Sequence, residues 1–208
     1  MRGNIRTFWL ALAVILAVLA VLLCVASVMM GSLYIRPTGE PQQTVIRFFD
    51  AVKSADYAEA YACLSDYQTL GLEGVPAAQD GQLLYQALQD SYDYTLSGDC
   101  RVEDLSAVQR VKFTYLNVGQ AAKDAAAKVG DVLAVLIEER PREELADEEG
   151  NILPEVNEEA YLTALHQVLA DPIHYTRSAE LEISLSYDGT NWLITTSPAL
   201  LSALIGGL

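Results

Sequence analysis

The chain has 208 residues, with 28 acidic against 13 basic side chains, a formal net charge of −15 and 51% hydrophobic residues. No basic patch exists to meet a phosphate backbone, so nucleic acid is excluded as an expected partner. The acidic surplus also opposes docking on an anionic membrane surface and reads as solubility.

The N-terminal part has a different composition. Phe8–Met30 is a run of 23 residues without a charge, and all 28 acidic residues follow Arg36. About 20 helical residues, each rising about 1.5 Å, cross a bilayer core, and backbone in lipid must satisfy its own hydrogen bonds. The run therefore predicts a transmembrane helix, with Trp9 and Tyr34 at its interfaces. Arg2, Arg6 and the α-amino group precede it and Arg36 alone follows, which points the N-terminus inward. The expected layout is a cytoplasmic segment 1–7, a signal anchor 8–30, a linker 31–40 and an extracytoplasmic domain 41–208 in the cell membrane. A cleaved signal peptide has a shorter apolar core, of about 7–15 residues, and a better cleavage site than Ala26-Ser27-Val28. Lipidation at Cys24 is opposed by Leu23 immediately before it, where a small residue is needed. A buried core helix is rarely apolar all round for such a length.

Beyond the linker, Pro41 suits the first turn of a helix, and Val45, Phe48, Phe49 and Val52 form its buried stripe. Asp56, with Glu59 three residues on, opens a second helix in a capping-box pattern. Gly71, Gly74 and Pro76 mark a loop, and Asp80 is expected to cap a third helix carrying Leu83, Leu84, Ala87 and Leu88. Strands are expected at about 92–102, bent at Gly98-Asp99, and at 107–118, with Ala107, Val111, Phe113 and Tyr115 on one face. Residues 120–140 read as a helix buried through Val129, Val132, Leu133, Leu136 and Ile137. The stretch 138–159, with ten acidic residues, reads as a solvated connection. A helix over about 155–170 follows, with Leu162, Leu165 and Leu169 inward. Leu181, Ile183, Leu185 and Tyr187 alternate with polar residues and predict a half-buried antiparallel strand. Asp188–Asn191 supplies a turn into the returning strand Trp192–Thr195. Ser197 and Pro198 then open a last helix, ended by Gly206-Gly207.

This order of elements is α+β. The opening Pro41-Gln42-Gln43-Thr44-Val45-Ile46-Arg47-Phe48-Phe49-Asp50-Ala51-Val52, followed by Asp56-Tyr57-Ala58-Glu59-Ala60-Tyr61, resembles the start of nuclear transport factor 2-like domains. That cone is shared with ketosteroid isomerase and SnoaL-type cyclases. The hairpin Tyr187-Asp188-Gly189-Thr190-Asn191-Trp192-Leu193-Ile194 is similar to their last one. The ending Ala199–Leu208 is similar to the tail of anchored extracytoplasmic members from Gram-positive bacteria, many of unknown function. The resemblance covers about residues 38–116 and 175–208. It implies N-terminal helices packed on a curved antiparallel sheet, with residues 118–172 as a helical insertion.

Catalytic members of that family place Asp, Tyr or His inside the cone, and no such set maps onto this sequence, so no catalytic residue is assigned and the reading leans against an enzyme. Only His166 and His174 exist, and neither has an identifiable partner. Neither a metal site nor a cofactor is expected. Ligand-spaced His, Cys and carboxylate clusters are missing, and Asp147–Asn151 lacks the alternation of a calcium loop. Glu138-Glu139 and Glu143-Glu144 read as solvated charge. Phe49, Tyr57, Tyr61, Tyr115 and Trp192 are the candidate lining of an apolar pocket at one end of the cone; plain core packing is the alternative. Cys63 and Cys100 are the candidates for a disulfide, two free thiols being the alternative. Three functions stay open: an envelope module binding a protein or a small apolar ligand, an isomerase- or cyclase-like enzyme acting on an apolar small molecule, and a structural subunit of an envelope assembly.

Overall fold

The computed structural model describes residues 39–65 and 76–207. The expected membrane helix at Phe8–Met30, Cys24, and the loop glycines Gly71 and Gly74 lie outside the described residues. Among the described residues, no helix is long and apolar enough to cross a membrane.

Helix α1 (Pro41–Lys53) begins with proline in its first turn, where no intrahelical N–H is needed. Its stripe Val45, Phe48, Phe49 and Val52 is buried as the spacing requires. Each such side chain contributes about 1.5–3 kcal/mol of burial, more than the intrinsic preference of a helix this short supplies. Helix α2 (Tyr57–Ala62) is capped by Asp56, whose carboxylate accepts from the Glu59 N–H at 3.2 Å. Glu59 does not complete the capping box with its own side chain; its carboxylate lies 2.8 Å from Arg47 of α1.

Helix α3 (Gln79–Ser91) starts two residues earlier than a cap at Asp80 would place it. Ala78 precedes it, and Asp80 sits inside the first turn with its carboxylate on the Gly81 N–H at 2.8 Å. Of its apolar set only Leu88 is fully buried, because the helix lies between two clusters: Ala87 packs against one, and Leu83 and Leu84 against the other.

The four strands β1 (Asp93–Glu103), β2 (Ser106–Leu116), β3 (Thr176–Tyr187) and β4 (Trp192–Thr195) form one antiparallel sheet in the order β1-β2-β3-β4. The fold is thus α+β, as expected. Pairing of β1 with β2 slips between Ser97 and Arg101, around Gly98 at φ +69°. Gln109 faces that slip from the core side of β2 and is fully buried. Its amide nitrogen donates to Arg110 O at 2.8 Å and reaches Ser97 O and Gly98 O at 3.4 Å beside the slip, while its amide oxygen is buried without a partner among the described residues. The pattern of β3 follows the sequence closely: Leu181, Ile183, Leu185 and Tyr187 face inward. Asp188 holds the turn into β4 by accepting from the N–H groups of Thr190 and Asn191, and these keep its carboxyl below the usual range.

Between β2 and β3 the chain makes a helical excursion. Helix α4 (Val118–Glu139) is capped by Asn117, α5 (Arg142–Leu145) is a single turn, and α6 (Pro154–Leu169) returns. A 3₁₀ turn, Pro172–His174, leads into β3. The excursion has its own core of Ala121, Ala125, Val132, Leu136, Leu145, Val156, Ala160, Ala164, Leu165 and Val168. This corrects the expected inward sets. Ile137 is 56% exposed, and Leu162 is only half-buried, because alanines rather than larger residues carry much of the close α4–α6 contact. The acidic connection is largely exposed, as expected, and is tied down at a few points. Leu145 is buried, Ala146 bridges Ile152, and Arg140 grips Glu159 with both guanidinium NH2 groups. The two ends of the excursion meet, with the Asn117 N–H donating to Tyr175 O at 2.8 Å.

Helix α7 (Pro198–Leu204) is capped by Ser197 and closes the sheet core through Leu200, Ala203 and Leu204. The Tyr92 hydroxyl donates to the Leu204 carbonyl. Gly206 follows at φ +75°, where a Cβ would come within 2.9 Å of the Leu116 carbonyl oxygen, so glycine is required there.

Candidate functional site

The five aromatic candidates all belong to or pack against the sheet core, where they make separate contacts. Phe49 belongs to a packed row: its ring stacks on Tyr94 with centroids 5.2 Å apart and meets Phe113 at 5.2 Å. Phe113 in turn meets Tyr92 at 5.3 Å and Tyr115 at 6.0 Å. Here the rings fill the space between α1 and the sheet by packing on one another. Tyr57 lies elsewhere, its hydroxyl 2.5 Å from that of Tyr85 and accepting from the side-chain amide of Gln89. Burial, with help from Tyr85, pushes the Tyr57 phenol well above its ordinary range. Tyr61 is half-buried against the sheet core, and Trp192 packs on Tyr187 with centroids 5.4 Å apart.

Of these five, Trp192 borders a cleft at the start of α1. That cleft, of about 280 Å³, is lined by Gly39, Glu40, Gln43, Thr44 and Arg47 on one side and by Thr190, Asn191 and Trp192 on the other. Its geometry follows from the helix period. Glu40, Gln43, Thr44 and Arg47 recur at i, i+3, i+4 and i+7, so they share one face of α1, apart from the buried stripe. The β3–β4 turn supplies the facing wall, and the Thr44 hydroxyl joins the walls by donating to Trp192 O at 3.2 Å. Trp192 is 4% exposed, and its indole N–H has no hydrogen-bond partner among the described residues.

Arg47 is set in place from behind. Its Nε donates to Cys63 Sγ at 3.2 Å and lies 2.8 Å from Glu59 Oε1. The Cys63 thiol donates to Glu59 O at 3.4 Å. Burial pushes that thiol up, against the pull of the guanidinium. Cys63 and Cys100, the candidate disulfide pair, are both free thiols, Cys63 buried and Cys100 half-buried.

A second cleft, of about 460 Å³, lies in the excursion beside Arg142, Glu143, Ala146, Asp147 and Glu148. The Asp147 carboxylate is already occupied there, accepting from the Asn151 N–H at 2.8 Å and its amide at 3.0 Å. Among the described residues no group of His, Cys, Asp and Glu is placed to hold a metal ion. His166 is exposed on α6, and His174 is exposed beside Asp171 at 3.2 Å. Glu138, Glu139, Glu143 and Glu144 are all exposed.

The polar lining of the first cleft was not singled out by sequence reasoning. Its residues occupy a polar helix face and a hairpin turn, and each alone looks like solvated surface. Only the contact between α1 and the turn makes them a site. Fold and cleft together define an α+β domain with one polar, half-open recess at the start of its first helix. No protein-family model, curated protein or solved structure matches the chain.

Proposed function

We propose that this chain is a membrane-anchored, extracytoplasmic binding module of the cell envelope, whose domain is a nuclear transport factor 2-like cone carrying a helical insertion. The observation behind the anchoring is the uncharged run Phe8–Met30, with Arg2 and Arg6 before it and every carboxylate of the chain after Arg36. Support for the cone comes from the order of α1 and an Asp-capped α2 ahead of an antiparallel sheet, and from the closing Asp188–Asn191 hairpin with its buried Trp192. Support for binding comes from the recess between α1 and the β3–β4 turn. The packed row around Phe49 turns the expected ligand away from a small apolar molecule housed among those rings. Either a small polar ligand or a protein then meets the module at its surface.

The test of anchoring and orientation is carbonate extraction of membranes combined with protease treatment of intact cells. Retention in the carbonate-washed membrane, with degradation of the C-terminal domain by external protease, is the expected result. Release by carbonate, or protection of residues 41–208 in intact cells, overturns the reading. Binding is tested by thermal shift of the full chain against a metabolite panel.

A further inference from the structure

We propose that the recess between α1 and the β3–β4 turn binds a short peptide with free termini, its carboxylate held by Arg47 and its ammonium by Glu40. This rests on the binding-module reading and names the ligand class of the same site. The recess is lined by one charged side chain of each sign, Glu40 at the start of α1 and Arg47 two turns along the same face, with Arg47 ion-paired through its Nε to Glu59 from behind. Seven residue steps from the cap position Glu40 to Arg47 separate them by about 10 Å along the axis. An extended peptide spans about 3.3–3.6 Å per residue, so three residues bridge that distance. The same recess is lined by neutral donors and acceptors, Gln43 on α1 and Thr190 and Asn191 on the facing turn, suited to peptide groups.

Electrostatics separates this ligand from its competitors. A simple anion meets the field of a strongly acidic chain and a carboxylate in the same recess. A simple cation meets Arg47. A zwitterion of the right length satisfies both ends, which is charge complementarity of the kind that sets specificity. Arg47 is prepared for this role. Its Nε faces Cys63 and Glu59, and its two NH2 groups, the bidentate end that carboxylates favour, have no protein partner among the described residues. The Glu40 side chain likewise makes no capping bond to α1. The volume of about 280 Å³ lies just below the roughly 300–1,000 Å³ of sites for drug-sized ligands, which limits the occupant to two or three small residues.

The experiment is calorimetric titration of the full chain in detergent micelles with trialanine, N-acetyl-trialanine and trialanine amide. Saturable binding of trialanine is expected, weakened about tenfold or more by either cap, since each removes a charge-assisted hydrogen bond. Glu40→Gln should bring trialanine down to the affinity of the acetylated peptide and leave the acetylated peptide unaffected. This variant touches no contact of the fold, unlike a change at Arg47. Glu158→Gln, an equal loss of charge on the excursion, should change nothing. The proposal is overturned if capped and uncapped peptides bind alike, if Glu40→Gln and Glu158→Gln act alike, or if trialanine fails to saturate at millimolar concentration. Failure of all peptides by a chain that still resists carbonate extraction removes this ligand class and leaves the anchored module standing.

Discussion

Replacing Phe113 by alanine probes how α1 is joined to the sheet. The ring is 1% exposed and contacts Phe49, Tyr92 and Tyr115, with centroids 5.2, 5.3 and 6.0 Å away. Truncating a buried phenylalanine costs about 3–5 kcal/mol through lost transfer energy and the remaining cavity. Aromatic pairs add about 0.5–1.5 kcal/mol each beyond buried area. Three pairs are lost here, and the neighbouring rings are themselves held, Tyr92 by the Leu204 carbonyl and Phe49 between Phe48 and Tyr94. Collapse into the cavity is therefore limited, and the loss should lie near the upper end, about 4–5 kcal/mol. Phe113→Leu keeps most of the volume and should cost about 1–2 kcal/mol. Urea unfolding of the full chain in micelles, followed by near-ultraviolet circular dichroism, measures both as a lower midpoint at unchanged slope. Equal losses for alanine and leucine, or an alanine loss below about 1.5 kcal/mol, would mean the ring is not packed as described.

Asp56→Ala should remove the cap of α2 and cost about 1 kcal/mol by the same unfolding assay, while Asp56→Asn should cost little. Gly206→Ala should cost more than about 1 kcal/mol, because φ +75° and the Leu116 carbonyl oxygen both oppose a Cβ; a neutral result would contradict the close approach. Burial, first of all, raises the phenols of Tyr57, Tyr92 and Tyr94 above their ordinary 10.0. A raised folded-state pKa gives stability that is complete below the unfolded value and lost as pH rises through the folded one. Unfolding should therefore become easier above about pH 10, and absorbance titration of the folded chain should leave these three phenols un-ionised there. Eleven tyrosines titrating together near 10 in the folded chain would refute this.

The sequence was most legible where a signal is local. The α1 stripe, the Asp56 and Ser197 caps and the alternation of β3 each depend on neighbours within one or two turns or on a period of two. Elements failed to be legible where packing decides. Ala121, Ala125, Ala160 and Ala164 carry little hydrophobic contrast, yet they let α4 and α6 approach closely, and this shifts the buried face away from Ile137. Gln109 interrupts the apolar face of β2 where its amide nitrogen reaches Ser97 O and Gly98 O at the β1 slip, a contact visible only once the register is known. The recess has the same origin. Gln43, Thr44 and Arg47 become a wall only because the β3–β4 turn lies opposite.

The meeting of Asn117 with Tyr175 bears on the order in which the chain folds. Rungs of the β2–β3 ladder join residues far apart in sequence, such as Thr114 and Ser178, 64 residues apart, and Arg110 and Glu182, 72 apart. Closing such loops from an open chain is entropically costly and slow. Helices α4 and α6, by contrast, form a local pair with a core of its own. Once they dock, the ends of the excursion stand one hydrogen bond apart, and β2 and β3 zip from Leu116 and Thr176 as a short hairpin would. The insertion then acts as the clasp that converts a distant pairing into a neighbouring one, and loosening α4 from α6 should slow folding of the sheet more than it speeds unfolding.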